Sequence, residues 1–225
     1  VGNIGTSYAD VALDTTADTV TVAEISSFQL ESAKDFHPDV TAVLNITPDH
    51  LNRHYTMENY TNVKMSIAKN QTKDQICVLN YDDEILLTES NKIPAKPFFY
   101  SSRQSLNEGV CLDGEDIVLR INGEEKKVCG IHDMKLVGIH NVENVMAAIA
   151  MSYAMGVPYE NIVETVKRFK AVEHRIEYVA TKKGVDYYND SKGTNPDAAI
   201  QGIRAMCKPT ILIGGGYDKE NEYDE

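Results

Sequence analysis

"VTAVLNITPDHLNRHYTMENYTNVKMSIAKN", Val40 to Asn70, decides how the rest of the chain is read. Its first eight residues, Val40–Thr47, are a β-branched run between turn-forming residues, the pattern of a buried strand. A polar loop follows, and "TMENYTNVKMSIAKN" then predicts a helix. Upstream, "TVTVAEIS" (Thr19–Ser26) predicts another buried strand. Downstream, "QICVLN" and "PFFYS" continue the series, with the helix "DDEILLTES" between them. Strands alternating with helices predict an α/β fold, a mostly parallel sheet flanked by helices.

From Gly109 to Val128 the texture changes. "GVCLDGEDIVLRINGEEKKV" has short alternating runs broken by "DGED" and "NGEE", which predict a small antiparallel β subdomain. "HNVENVMAAIAMSYAMG" then predicts an apolar helix closed by Gly156, and "PYENIVETVKRFK" a second helix. "RIEYVAT" and "GVDYYND" predict a strand pair, "TNPDAA" a helix start and "PTILIGGG" a further buried strand. This last unit is the start of a second, Rossmann-like α/β domain, so the division expected is 1–171 and 172–225.

Composition sets limits. Hydrophobic residues are 42% and charged residues 25%, an ordinary globular balance. No run of about eighteen apolar residues predicts a membrane span, and no secretory signal is visible. The net charge of −12 argues against nucleic acid, which needs clustered cations. Cys77, Cys111, Cys129 and Cys207 have no C-x-x-C spacing and read as small hydrophobes in a reducing cytosol. The chain begins at Val1 and ends on "NEYDE" after a glycine cluster, which reads as a fragment cut at both ends. An exposed edge strand at Pro209–Gly214 would allow self-association.

Several residues could carry chemistry. In "NDSKGTNPDAAIQGI" (Asn189–Ile203), Pro196 suits a first helical turn, Asn195 a cap and Asp197 the positive helix end. The same helix start after a strand could hold an anion, with Asp190, Lys192 and Thr194 at the strand's carboxyl end. It is not a Walker loop, because the Lys precedes the only Gly, and that motif occurs nowhere in the chain. Glu24 and His50 follow two predicted parallel strands and could share a divalent metal suited to oxygen, Mg²⁺ or Mn²⁺. Taken alone, such a pair is explained more readily as a capping Glu and a hydrogen-bonded loop His. His54 and His37 read as surface residues. Lys64, four residues after Tyr60 on one helix face, reads as solvated. Asn3, between the glycines of "VGNIG", sits where backbone can approach a ligand. Asn141 and Asn144 share a face of a helix start and could read a base edge or only cap.

Together "VGNIG", "EISSFQLE", "NITPDHLNRH", "HNVENVMAA", "EHRIEYV", "NDSKGTNPDAA" and "GGGYDKE" occur in the order found in Mur ligases, and the chain resembles that family over its whole length. "EISSFQLE" resembles the D-glutamate-adding branch. The resemblance implies Glu24 and His50 as Mg²⁺ ligands beside a transferring phosphate, with Lys64 carried as a carbamate. It implies Asn3, Ser26 and His50 facing UDP-N-acetylmuramoyl-L-alanine, and Asn141, Asn144, Arg175 and Asp190 around ATP. Lys192, Thr194 and Lys219 would meet D-glutamate and the charge of the reaction centre. The implied chemistry is cytoplasmic peptidoglycan-precursor ligation through an acyl phosphate, by a full-length monomer with no nucleic-acid or membrane partner. The Walker loop, the uridine-gripping domain and most of the C-terminal domain would be missing, leaving this chain with little or no turnover. Asn52 stands where the family pattern has Asp, beside the metal site. Rival readings are another ATP-dependent amide ligase, such as a poly-glutamate-adding enzyme, and a non-catalytic nucleotide- or metal-binding module.

Overall fold

The computed structural model describes residues 1–170, 172–194 and 196–216. The chain is mixed α/β and divides after Phe98 into two compact units. In the first, Val1–Phe98, the single-turn helices α1 (Tyr8–Val11) and α2 (Ser27–Leu30) precede strand β1 (Val40–Val43). Then come α3 (Leu51–His54), α4 (Met57–Met65), β2 (Ile76–Asn80), α5 (Glu84–Glu89) and the first part of β3 (Lys96–Ser101). β1 and β2 pair in parallel, Val40 opposite Ile76 and Val43 opposite Leu79. Cys77, Val78 and Leu79 are fully buried, as a parallel strand covered on both faces requires. The buried Thr41 hydroxyl donates to Gln71, whose amide serves the carbonyls of Pro38, Asp39 and Ile76. A buried amide left unsatisfied would cost about 1–3 kcal/mol, so this network lets a polar side chain sit beneath the strands.

In the second unit, Phe99–Glu225, the end of β3 pairs in parallel with β4 (Gly109–Asp113). β5 (Asp116–Ile121) and β6 (Glu124–Gly130) complete an antiparallel meander, as its turn residues predict. Asn122 and Gly123 both have positive φ (53° and 80°) at the two-residue turn, the conformation that makes Asn-Gly the favoured hairpin pair. α6 (Ile139–Ala154) lays Val142, Val145, Met146 and Ile149 into the core, and α7 (Tyr159–Arg168) adds Ile162. β7 (Glu177–Lys182) and β8 (Val185–Asn189) form the expected strand pair, and α8 (Pro196–Arg204) follows. Cys77, Cys111 and Cys129 are buried and all four thiols are free; burial pushes Cys77 up to about 11.

Three expectations fail, two of them for one reason. "TVTVAEIS" is not a strand: its one ladder contact is a bridge from Glu24 to Gly2, and Val20 and Val22 are 67% and 78% exposed. "PTILIGGG" is not one either, with Ile211 91% and Ile213 93% exposed. A strand needs a neighbour for its N–H and C=O groups: the first run finds only the short Val1–Asn3 segment, at Val22 and Glu24, and the second has no paired strand among the described residues. The expected edge strand at Pro209–Gly214 falls with it. Third, His54 is not a surface residue but 4% exposed. Among the described residues no helix is long and apolar enough to cross a membrane.

Candidate functional site

The amino-terminal segment is built around Glu24. Its backbone N–H donates to Val1 O and its carbonyl accepts the Asn3 N–H at 2.7 Å, while the Asn3 amide donates to Glu24 Oε1 at 3.1 Å. Gly2, at φ 109°, makes this approach possible, since a Cβ there would lie 2.3 Å from the Glu24 carbonyl oxygen. Two residues on, Ser26 caps α2 in a reciprocal box with Gln29. Asn3 and Glu24 are therefore in direct contact, and Ser26 is committed to helix capping.

His50 lies at the start of α3 with φ 53°, a left-handed conformation that costs a non-glycine residue roughly 1 kcal/mol. Its N–H donates to Asp49 Oδ1 at 2.8 Å, its Nε2 is 3.5 Å from Asp49 Oδ2, and its ring lies 4.9 Å from that of Phe28. Behind it, His54 Nε2 meets Ser27 Oγ at 3.0 Å and His54 Nδ1 lies 3.4 Å from Glu31 Oε1. Arg53 grips Glu31 with two nitrogens, the shorter contact 2.6 Å, and its hydrogen bond holds the Glu31 carboxyl below the usual range.

Lys64 is half-buried on α4, not solvated. Its ammonium donates to the Asn45 carbonyl at 2.8 Å and lies 5.3 Å from the centre of the Tyr60 ring. Burial pulls its pKa down, opposed by Asp49 and Asp83. Asp83 caps α5 with one oxygen and accepts the Ile46 N–H with the other, tying down the loop after β1.

In the second unit the Asn141 amide donates to Val137 O at 2.7 Å, holding the start of α6, while Asn144 is exposed one turn on. Asp190 Oδ1 accepts the Ile176 N–H at 3.0 Å, and Gly193 and Gly202 crowd its other oxygen: a Cβ on either would lie 2.9 or 2.7 Å from Oδ2. The Lys192 N–H donates to His174 O, and burial pulls the His140 pKa down, with the exposed Arg175 adding to it. Lys192 and Thr194 are exposed. Lys219 and Asn195 lie outside the described residues, as do the side chains of Pro196 and Asp197. His140 is half-buried, and its Nδ1 has no hydrogen-bond partner among the described residues.

The structure thus joins Asn3 to Glu24 and gathers Arg175 and Asp190 about His140. No group of three or more His, Cys, Asp and Glu side chains that could hold a metal occurs among the described residues. Sequence reasoning missed Ser27, Glu31, Arg53 and His54, and also His174, whose Nδ1 pairs with Asn189 at 2.9 Å. Only the four-residue spacing of Ser27 and Glu31 hinted at a shared helix face.

The family model described as Mur ligase middle domain matches residues 4–152. The chain is similar to a protein of Lachnoclostridium phytofermentans named UDP-N-acetylmuramoylalanine--D-glutamate ligase, with 55% identity over 225 residues, 100% of the chain and 50% of the relative. It spans about half the length of the curated relatives it matches. Two solved structures share its fold. MurF from Acinetobacter baumannii gives a TM-score of 0.63 at 15% identity, covering 84% of this chain and 42% of that one. MurF ligase from Thermotoga maritima in complex with ADP gives 0.60 at 21%, covering 81% and 43%.

Proposed function

The chain belongs to the Mur ligase family, and from that premise we propose that it is part of an ATP-dependent ligase joining D-glutamate to UDP-N-acetylmuramoyl-L-alanine in the cytoplasm. The observation that carries this reading is 55% identity along the entire chain to a relative named for that reaction. A related fold in complex with ADP supports the nucleotide. On this reading residues 1–171 belong to the central nucleotide-binding domain and 172–225 open the amino-acid-binding domain.

The reaction has two steps. The substrate carboxylate attacks the γ-phosphate of ATP, releasing ADP and leaving an acyl phosphate. The D-glutamate amine then attacks the acyl carbon, and phosphate leaves from the tetrahedral intermediate. Negative charge grows on oxygen in both steps, so cationic groups are needed in an acidic protein. Mg²⁺ or Mn²⁺, when bound, would neutralise phosphoryl oxygens. Glu24, His50 and a carbamate on Lys64 would hold it, an oxygen-rich set suited to that metal. The setting of each residue supports that reading. Asn3 orients the Glu24 carboxylate, Asp49 lies against the His50 ring, and the lowered pKa of Lys64 raises the fraction of neutral amine that carbamylation requires. A carbamate nitrogen keeps one N–H, so the Asn45 carbonyl keeps its donor.

Asn3 and Ser26 would face the muramoyl substrate, and Asn141, Asn144, Arg175 and Asp190 would surround ATP. Lys192, Thr194 and Lys219 would meet D-glutamate and the charge developing at the acyl carbon. The test is amino-acid-dependent phosphate release from ATP with UDP-N-acetylmuramoyl-L-alanine as acceptor. This chain is assayed beside one joined at both ends to the flanking segments of a full-length relative. Release by the extended chain with D-glutamate alone, and little from the chain as given, is the expected result. Release with another amino acid, or silence from the extended chain, overturns the reading.

A further inference from the structure

Ser27 opens α2 and Glu31 is its C-cap in helical conformation, so the two, four residues apart, lie one above the other. His54, at the end of α3, reaches both, with Nε2 at 3.0 Å from Ser27 Oγ and Nδ1 at 3.4 Å from Glu31 Oε1. A carboxylate at Nδ1 places the proton there, so Nε2 accepts the serine O–H. Serine, histidine and carboxylate in that order are the parts of a hydrolytic triad. Here, however, Ser27 is 9% exposed and His54 4%, which keeps substrate from the hydroxyl. The same geometry is well suited to holding two short helices together.

Both helices need that help. α2 and α3 have four residues each, far below the length at which a helix holds itself in water. α3 is also flanked by left-handed residues, His50 at φ 53° and Tyr55 at φ 66°. Arg53 adds a second tie, gripping Glu31 on one side while its guanidinium lies 4.8 Å from the centre of the Phe28 ring. The ties lead directly to His50, because the N–H groups of Arg53 and His54 both donate to the His50 carbonyl at 3.0 Å. Phe28, between Ser27 and Glu31 in the chain, packs its ring against the His50 imidazole.

We propose that Ser27, Glu31, Arg53 and His54 form a brace that fixes the left-handed His50 against the segment carrying Glu24 and Ser26. This makes His54 a positioning residue for the metal and substrate groups. The inference rests on the reading of Glu24 and His50 as metal ligands.

Two variants of the chain test it. His54→Phe keeps the ring's bulk beside Tyr60 and deletes both nitrogens; His54→Gln keeps one donor and one acceptor. Two measurements are made on each: amide hydrogen exchange at Arg53 and His54, and Mn²⁺ titration followed by broadening of the His50 ring resonances. His54→Phe is expected to speed exchange at those two amides about tenfold and to weaken Mn²⁺ about tenfold, with His54→Gln recovering most of both. Exchange and Mn²⁺ affinity unchanged in His54→Phe overturn the brace, and so does acceleration spread evenly over β1 and β2, which marks a merely structural loss. If the wild-type His50 resonances stay sharp at saturating Mn²⁺, the metal reading falls and takes the metal-positioning role with it. In that case local exchange still decides whether His54 sets His50.

Discussion

Two histidines lie inside the two units of this chain and are treated in opposite ways. His54 is 4% exposed and engaged at both nitrogens, by Ser27 and Glu31. His140 is half-buried at the start of α6, and its Nδ1 has no hydrogen-bond partner among the described residues. The first is held by side chains chosen for it, so exchanging those side chains should release it. The second leaves no room for a side chain at Gly138, where a Cβ would lie 2.7 Å from its ring and 2.8 Å from Ala205. Burial there opposes charge instead of being compensated, and it pulls the His140 pKa down against Asp190 and Glu143. A satisfied buried imidazole organises its surroundings, whereas an unsatisfied one makes its unit sensitive to pH.

Ser27→Ala should erase the contrast most forcefully by giving His54 the same unsatisfied nitrogen. Leaving a buried acceptor without its donor costs about 1–3 kcal/mol. Urea unfolding of the chain should show a loss of that size, with the accelerated exchange confined to residues near α2 and α3. A loss no larger than that of an exposed serine would mean that the 3.0 Å contact carries little energy.

A smaller effect is expected at Gly202, on the other side of the comparison. Glycine to alanine inside a helix usually gains about 0.5–1 kcal/mol. On α8 the new methyl would meet Asp190 Oδ2 at 2.7 Å and push the carboxylate off the Ile176 N–H that it accepts at 3.0 Å. Gly202→Ala should therefore be neutral or destabilising. Asp190→Ala combined with Gly202→Ala should recover the helical gain relative to Asp190→Ala alone. Thermal unfolding of the four proteins in the cycle measures this coupling. Simple additivity would show that Asp190 is not held where the structure has it.

What could be read in advance follows from the same physics. β2 and the β4–β6 meander were legible because "ICVL" is an unbroken apolar run and "NGEE" contains the hairpin pair. "TVTVAEIS" has the same local character, but strand formation depends on a neighbour, and no composition rule supplies one. The candidate groups Glu24, His50 and Lys64 were legible as residue types in a motif. Their settings were not. Lys64 reads as solvated until the Asn45 carbonyl and Tyr60 are seen beside it, and His54 reads as exposed because its partner Ser27 is 27 residues away. Long-range satisfaction of polar groups leaves no periodicity to detect.

The smallest predicted effect concerns how stability responds to acid. His140 has a folded pKa below its ordinary value of 6.5, with burial as the largest cause and Arg175 adding to it, opposed by Asp190 and Glu143. Between the folded pKa and 6.5 the unfolded chain binds more protons, so stability rises with pH across that window. Below the folded pKa the whole penalty is in place; above 6.5 it is absent. His140→Asn should remove this part of the acid slope while leaving stability at pH 8 nearly unchanged. Asp190→Asn should act in the opposite sense, because taking away the nearby negative charge lowers the His140 pKa further and widens the window. The decisive measurement is the midpoint of urea unfolding at pH 5 and pH 8 for wild type and both variants. If His140→Asn leaves the pH 5 to pH 8 difference as it is in the wild type, the imidazole is reaching a proton acceptor or solvent in the folded state. The contrast with His54 would then lose its basis.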